Sequence, residues 1–169
     1  MYLFHYTSAA HLRGIHKHGL TVGDVVTNLE KYEGQIAVWL TSSGDPNGHG
    51  LANSLVDKTE FRLTVEVEDD DDRLWKWSEW ASQHLDETTQ SRIQMADGYS
   101  SSSWYLFFGW VPRAKIIEVV STKTGRRIDN WAEYYPEVIS ARPVSYEGRF
   151  AWQRRTLRDV KRALERMAG

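Results

Sequence analysis

The chain has no cysteine. Disulfides, a thiolate nucleophile and cysteine-ligated zinc are therefore excluded, and any chemistry rests on oxygen and nitrogen groups. Long apolar runs are missing as well: nowhere do about eighteen apolar residues follow one another, the length that reads as a membrane-spanning helix. The opening MYLFHYTS has no charged leader ahead of an apolar stretch, so the expectation is a cytoplasmic protein with no membrane partner. No strand-like segment is followed by a glycine-rich fingerprint, which argues against a Rossmann-type dinucleotide site and a P-loop. Charge of one sign is not in excess either. With 21 basic and 23 acidic residues the net charge is −2, so a nucleic acid or membrane surface has no global attraction and must meet a local patch.

What is present is enough for one domain. A chain of 169 residues buries about 70% of the surface its unfolded form exposes, and no repeat or low-complexity linker marks a boundary, so residues 1–169 are read as a single domain. Leu3–Tyr6 reads as a short strand. Ser8 is a helix N-cap residue, the helix runs from Ala9 to about Lys17 with Leu12 and Ile15 inward, and Gly19 stops it. Residues 21–35 are polar and turn-rich. IAVWLTSS (Ile36–Ser43) is a strand leading into the turn-prone GDPNGHG, and Glu60–Glu68 alternates apolar and polar residues as a half-buried strand does. Apolar residues at 74, 77, 80, 81 and 85 have helical spacing, which predicts a helix over Leu74–Leu85. Asp97–Pro112 is a polar loop entering an aromatic strand, and Ala114–Ser121 is a further strand. Ile128–Ile139 is read as a short helix stopped near Pro136, and Trp152–Met167 as a terminal helix with an arginine-rich face. The order β-α-β-β-α-β-β points to an α+β domain.

Among the polar side chains, His11, His16 and His18 do not make a metal site: 11 and 16 are five residues apart, and no carboxylate completes a ligand set. Asp69–Asp72 lacks the alternating ligands and central glycine of a calcium loop. Arg154, Arg155, Arg158 and Arg162 on the terminal helix form the one local patch suited to phosphates, the candidate contact for a nucleic acid. His5 is followed by Tyr6, Thr7 and Ser8 at a helix start, and a second strand ends in Trp39, Leu40, Thr41, Ser42 and Ser43. If these two strands are neighbours, a histidine, an aromatic plate and several hydroxyls line one cleft, which suits a ribose and a flat heterocycle. The eight tryptophans serve either as core or as such stacking surfaces.

LFHYTSAAHLRGIHKHGL, AVWLTSS and SWYLFFGWVPRAKIIEVV together resemble the ADP-ribosyltransferase-like superfamily, in particular the DNA-modifying ADP-ribosyltransferase toxins and the RNA 2′-phosphotransferases. The likeness spans about residues 2–120. It implies a split β-sandwich with flanking helices, a core of about residues 1–122 and a C-terminal extension over 123–169. The implied function is NAD-dependent transfer of ADP-ribose to a macromolecule, nucleic acid among the candidates, in a toxin, defence or counter-defence setting. NAD enters as substrate. On this resemblance His5, counted among the catalytic residues, hydrogen-bonds the adenosine ribose or adjacent groups of NAD, Tyr6, Thr7 and Ser8 shape the dinucleotide pocket, Trp39 packs on the nicotinamide, Thr41 and Ser42 lie beside its ribose, and Trp104 joins the cofactor-binding set. The oxocarbenium-like transition state needs a carboxylate. Ser103, Trp104 and Tyr105 occupy the position where the family pattern has its glutamate, so Glu118 and Glu147 are the substitute acids. Two alternatives stay open: an inactive nucleotide- or partner-binding module of the same fold, and an RNA 2′-phosphotransferase-like enzyme with Arg62 and Arg113 as its candidate phosphate-binding arginines.

Overall fold

A computed structural model describes residues 1–28, 31, 33–49, 51, 56–95, 100–134 and 142–168. The chain begins with strand β1 (Tyr2–Thr7) and helix α1 (Ala9–His18), followed by a hairpin of β2 (Asp24–Asn28) and β3 (Glu33–Ile36). Strands β4 (Val38–Thr41), β5 (Phe61–Glu66) and β6 (Leu74–Lys76) lead into helices α2 (Trp77–His84) and α3 (Glu87–Met95). Strands β7 (Trp104–Phe107) and β8 (Ile116–Ser121) precede the long helix α4 (Arg149–Ala168). The architecture is mixed α+β: a six-stranded antiparallel sheet in the order β6-β7-β4-β1-β5-β8, and a small second sheet of β2 and β3.

Alternation along the strands gives the large sheet two different faces. Leu3, His5 and Thr7 of β1 share one face with Phe61, Leu63 and Val65 of β5, their direct cross-strand partners. Val38 and Leu40 of β4 continue this face, and the buried Leu12 and Ile15 of α1 close it, making the larger core. The opposite face carries Phe4 and Tyr6, then Thr41 and Trp39, then Trp104 and Leu106. Over β4, β7 and β6 that face is covered by Trp77, Trp80 and Ala81 of α2 and by Val25 of β2.

The ladder is uneven. Strands β1 and β5 pair over six residues, whereas β1 and β4 meet at one register pair, Phe4 opposite Thr41. The sheet is therefore two three-stranded halves, β6-β7-β4 and β1-β5-β8, joined at one point and open beyond it. At the outer side of β8 the chain folds back: Ile128 N–H bonds Val119 O at 2.8 Å, Ser121 N–H bonds Arg126 O at 2.9 Å, and Val120 and Arg127 form a bridge.

Helix α1 ends as its sequence dictates. Gly19 adopts φ +76°, its N–H bonds Ile15 O at 2.7 Å, and His16, Lys17 and His18 place basic groups on the last turn. At the other end Ser8 occupies the cap position without capping. Its hydroxyl bonds His11 Nδ1 at 2.8 Å, and the carboxylate of Glu60 takes the Ala9 N–H at 2.7 Å instead.

Several elements differ from the sequence reading. Residues 21–35 contain a hairpin, with Val25 fully buried. Leu74–Lys76 is a strand rather than the start of a helix, because β7 has an open side and pairs Leu74, Trp75 and Lys76 with Phe107, Leu106 and Tyr105. A further helix, α3, follows Asp86, whose carboxylate accepts the Thr89 N–H at 2.8 Å and hydroxyl at 2.9 Å. In place of a helix over Ile128–Ile139 there is a single 3-10 turn at Trp131–Glu133, and residues 135–139 lie outside the described set. The terminal helix starts at Arg149, three residues before the expected Trp152.

Candidate functional site

His5 sits where the two half-sheets part. Its Nδ1 is 2.9 Å from the carbonyl oxygen of Trp39, a group the opened ladder leaves without a strand partner at that point. A carbonyl only accepts, so Nδ1 carries the proton and Nε2 presents a lone pair. Burial pushes the imidazole down to about 4, outweighing the Trp39 bond that favours protonation, so the ring is neutral at physiological pH. Nε2 has no hydrogen-bond partner among the described residues.

The groups gathered around this ring come from three elements. From the α1 start come Ser8 and His11, joined by their 2.8 Å hydrogen bond. From the segment before β5 comes Lys58, close enough that its charge depresses both His5 and His11 after burial has done so. Burial holds the Lys58 ammonium below its ordinary range, and it has no carboxylate partner among the described residues. Thr7 is buried beside them. The cluster offers a neutral acceptor, a hydroxyl and an unpaired cation, which suits a sugar hydroxyl next to a phosphate.

The remaining expected site residues are placed elsewhere. One cleft lined by His5 and all the aromatic and hydroxyl residues is not what forms. The strands are neighbours, but with a side-chain period of two His5 and Thr7 point to the α1 face while Tyr6, Trp39, Thr41 and Trp104 point to the other. On that second face Tyr6 stacks on His49 with ring centroids 5.4 Å apart, and its hydroxyl donates to Ser43 O at 3.1 Å. Burial raises the Tyr6 phenol to about 12, with Arg62 pulling it partly back. Trp104 donates its indole N–H to His49 Nδ1 at 2.9 Å, which leaves His49 Nε2 to donate to Asp45 O at 2.8 Å. Thr41 and Ser103 share a 2.8 Å hydroxyl bond, and Ser42 N–H bonds Ser103 O at 2.9 Å. Together these contacts pin residues 42–49 onto the start of β7.

Trp39 and Trp104 are packing residues here. Trp104 is buried, and Trp39 donates its indole N–H to Asp24 O at 2.9 Å while lying 5.1 Å from the Trp77 ring and 5.4 Å from the Trp104 ring.

Neither substitute acid stands beside His5. Glu118 lies opposite Thr64 and accepts its hydroxyl at 3.2 Å, on the Phe4 face and two strands from β1. Glu147 is exposed in the turn before α4, near His18; hydrogen bonds from its own backbone and Ser145 hold its carboxyl low. His18 ends α1, whereas Ser8 and His11 begin it, so about 15 Å of helix separates the two ends. The carboxylate that does reach the His5 cluster is Glu60, through the α1 N-terminus.

The sequence reading contains neither Lys58 nor His49, names Arg62 only as a phosphate-binding candidate of the phosphotransferase alternative, and takes His11 only as a rejected metal ligand. Arg62 lies opposite Tyr6, its guanidinium 4.7 Å from the Phe4 ring centroid and its Nε buried without a partner. The spacing of Ser8 and His11 on one helical turn is a local signal; Lys58 arrives through the pairing of the strand that follows it and leaves none. Arg154, Arg155 and Arg158 are exposed on the outer side of α4, as is Arg162. Among the described residues no group of three or more His, Asp and Glu side chains is arranged to hold a metal ion, and no helix is long and apolar enough to cross a membrane.

No family model matches the chain, nor does any curated protein or solved structure.

Proposed function

We propose that the chain is an ADP-ribosyltransferase-like protein that binds NAD against the parted half-sheets and passes its ADP-ribose to a macromolecular acceptor. The observation that carries this reading is His5: a neutral imidazole, fixed in one tautomer by Trp39 O, with Nε2 unpartnered and an unpaired Lys58 nearby. In this role Nε2 accepts a ribose hydroxyl and Lys58 meets the diphosphate.

Transfer further requires a carboxylate at the ribose to stabilise the oxocarbenium-like state. The positions of Glu118 and Glu147, both away from His5, favour a second reading, a module of the same kind that binds the nucleotide without cleaving it. Calorimetric titration with NAD, with released nicotinamide measured in the same samples, separates the two. Heat of binding with release supports transfer or hydrolysis, and Glu118→Gln and Glu147→Gln then test the acids singly. Binding without release supports the module. Absence of binding, or binding that His5→Gln leaves unchanged, rejects both.

A further inference from the structure

Three exposed aromatic side chains gather away from His5, where the first turns of α4 meet β3 and the loop after β7. A groove of about 460 Å³ runs there, bordered by Trp110, Tyr146, Phe150, Arg73, Arg149 and Gln153. Trp110, Tyr146 and Phe150 are 42%, 42% and 54% exposed, so three large aromatic faces crowd one groove while the other exposed apolar side chains of the described residues are elsewhere. Trp110 and Tyr146 have ring centroids 6.1 Å apart. Trp110 is fixed by its indole N–H donating to His18 O at 2.6 Å.

Cations are interleaved with these rings. The Arg149 guanidinium lies 3.6 Å from the Tyr146 ring centroid and 4.9 Å from that of Phe150, and no carboxylate pairs with it among the described residues. Arg73 is 4.8 Å from the Phe107 centroid and is bound by Asp71 through its Nε and Nη2, so Arg149 is the freer charge. Below the rings the Gln153 amide faces the buried Asp24 carboxylate, whose pKa burial raises and Gln153 partly lowers again. Beyond the groove, α4 carries seven basic and two acidic residues in a chain whose net charge is −2, and Arg154, Arg155, Arg158 and Arg162 are exposed along it.

We propose that this groove binds single-stranded nucleic acid, with unpaired bases stacking on Phe150, Tyr146 and Trp110, the backbone phosphates meeting Arg149, and the strand continuing along the arginine face of α4. Rings alternating with guanidinium groups are how proteins hold unpaired bases, and a duplex keeps its base faces inside the stack. An acidic peptide satisfies the arginines but leaves the stacking faces of Trp110, Tyr146 and Phe150 unused. The site is separate from His5 and stands whether or not the chain binds NAD.

Fluorescence anisotropy with labelled oligothymidylate, oligouridylate and a mixed-sequence DNA duplex tests this. Either single strand should bind more tightly than the duplex. Phe150→Ala, at an exposed ring with no hydrogen bond to lose, should weaken single-strand binding about tenfold. Arg149→Ala should reduce the salt dependence, and His5→Gln should leave binding unchanged, which keeps failure here distinct from failure of the NAD reading. No binding of either single strand at low salt overturns the proposal. So does duplex binding equal to single-strand binding with Phe150→Ala without effect, since α4 would then act by charge alone. Displacement of the strand by polyglutamate at similar concentration overturns it in favour of an acidic protein partner.

Discussion

Leu20 and Val111 exchange both of their backbone hydrogen bonds, Leu20 N–H to Val111 O at 2.9 Å and Val111 N–H to Leu20 O at 3.0 Å. The Gly-Leu that stops α1 and the Val-Pro that follows β7 are therefore one structural joint, built from segments about ninety residues apart. The joint explains why Gly19 is glycine: it holds φ +76°, and a Cβ there would fall against Val111 O and the Trp110 indole nitrogen.

Gly19→Ala should destabilise the protein by about 2 kcal/mol or more, read from urea unfolding. Gly125 is the control. It also has positive φ, +67°, but a Cβ there meets nothing within 4 Å, so Gly125→Ala should cost only the conformational penalty of about 1 kcal/mol. Equal losses at the two sites contradict the packing argument.

The His5 ring should titrate near pH 4 in the folded protein, with Nδ1 protonated above that, as seen by nitrogen-detected NMR of the imidazole. The linkage sign follows. Between about pH 6.5 and 4 the unfolded chain takes up a proton at this position and the folded chain does not, so stability falls as pH drops through that window and levels off below it. His5→Gln keeps a donor for Trp39 O and removes the titration, so its melting temperature should decline less steeply over the same window. A His5 midpoint near 6.5 contradicts the buried placement.

Lys58→Met should raise the titration midpoints of both His5 and His11, because the same ammonium depresses both. Under the NAD reading it should also weaken nucleotide binding more than ribose binding, since the lost group is the cation rather than the hydroxyl-binding acceptor. Unmoved histidine midpoints place Lys58 away from the cluster.

Trp104→Phe keeps most of the ring and removes the N–H that His49 accepts. The expected cost is about 1–2 kcal/mol, since His49 Nδ1 loses its donor, and backbone amides over residues 42–49 should exchange faster with deuterium. Unchanged exchange in that segment means the loop is held by the Tyr6 and Ser103 contacts alone.

How much of this was readable beforehand depends on how local the cause is. The strand, the helix and its glycine stop are neighbouring effects and appear as read, whereas the cap comes from the distant Glu60 in place of Ser8; the alternation of Phe61, Leu63 and Val65 points to the buried face directly. Strand β6 was read as helix because Leu74, Trp77, Trp80 and Ala81 do fall at helical spacing; only the open side of β7 decides otherwise. The hairpin of β2 and β3 has little apolar content of its own, and Val25 becomes buried through Trp77, Trp80 and their neighbours. Helix α3 buries Thr89 alone, so no stripe announces it. At the site, the division of His5 from Tyr6 follows from strand period and was legible in the alternation itself. The approach of Lys58 to His5 was not, because it depends on β1 choosing β5 as its full partner.

The fold-back beyond β8 bears on how the protein behaves at high concentration. Antiparallel sheets invite foreign strands at their borders, and such pairing seeds edge-to-edge aggregation. Here one border is the three-residue β6, and the other has its Val119–Ser121 half already occupied by residues 126–128. What is left is the stretch Ile116–Glu118, preceded by Lys115 with its ion pairs to Glu66 and Glu68, so that Ile117 is an exposed apolar side chain beside fixed charge. A foreign strand finds about three residues to pair with there, short of the six- or seven-residue segments that build cross-β fibres.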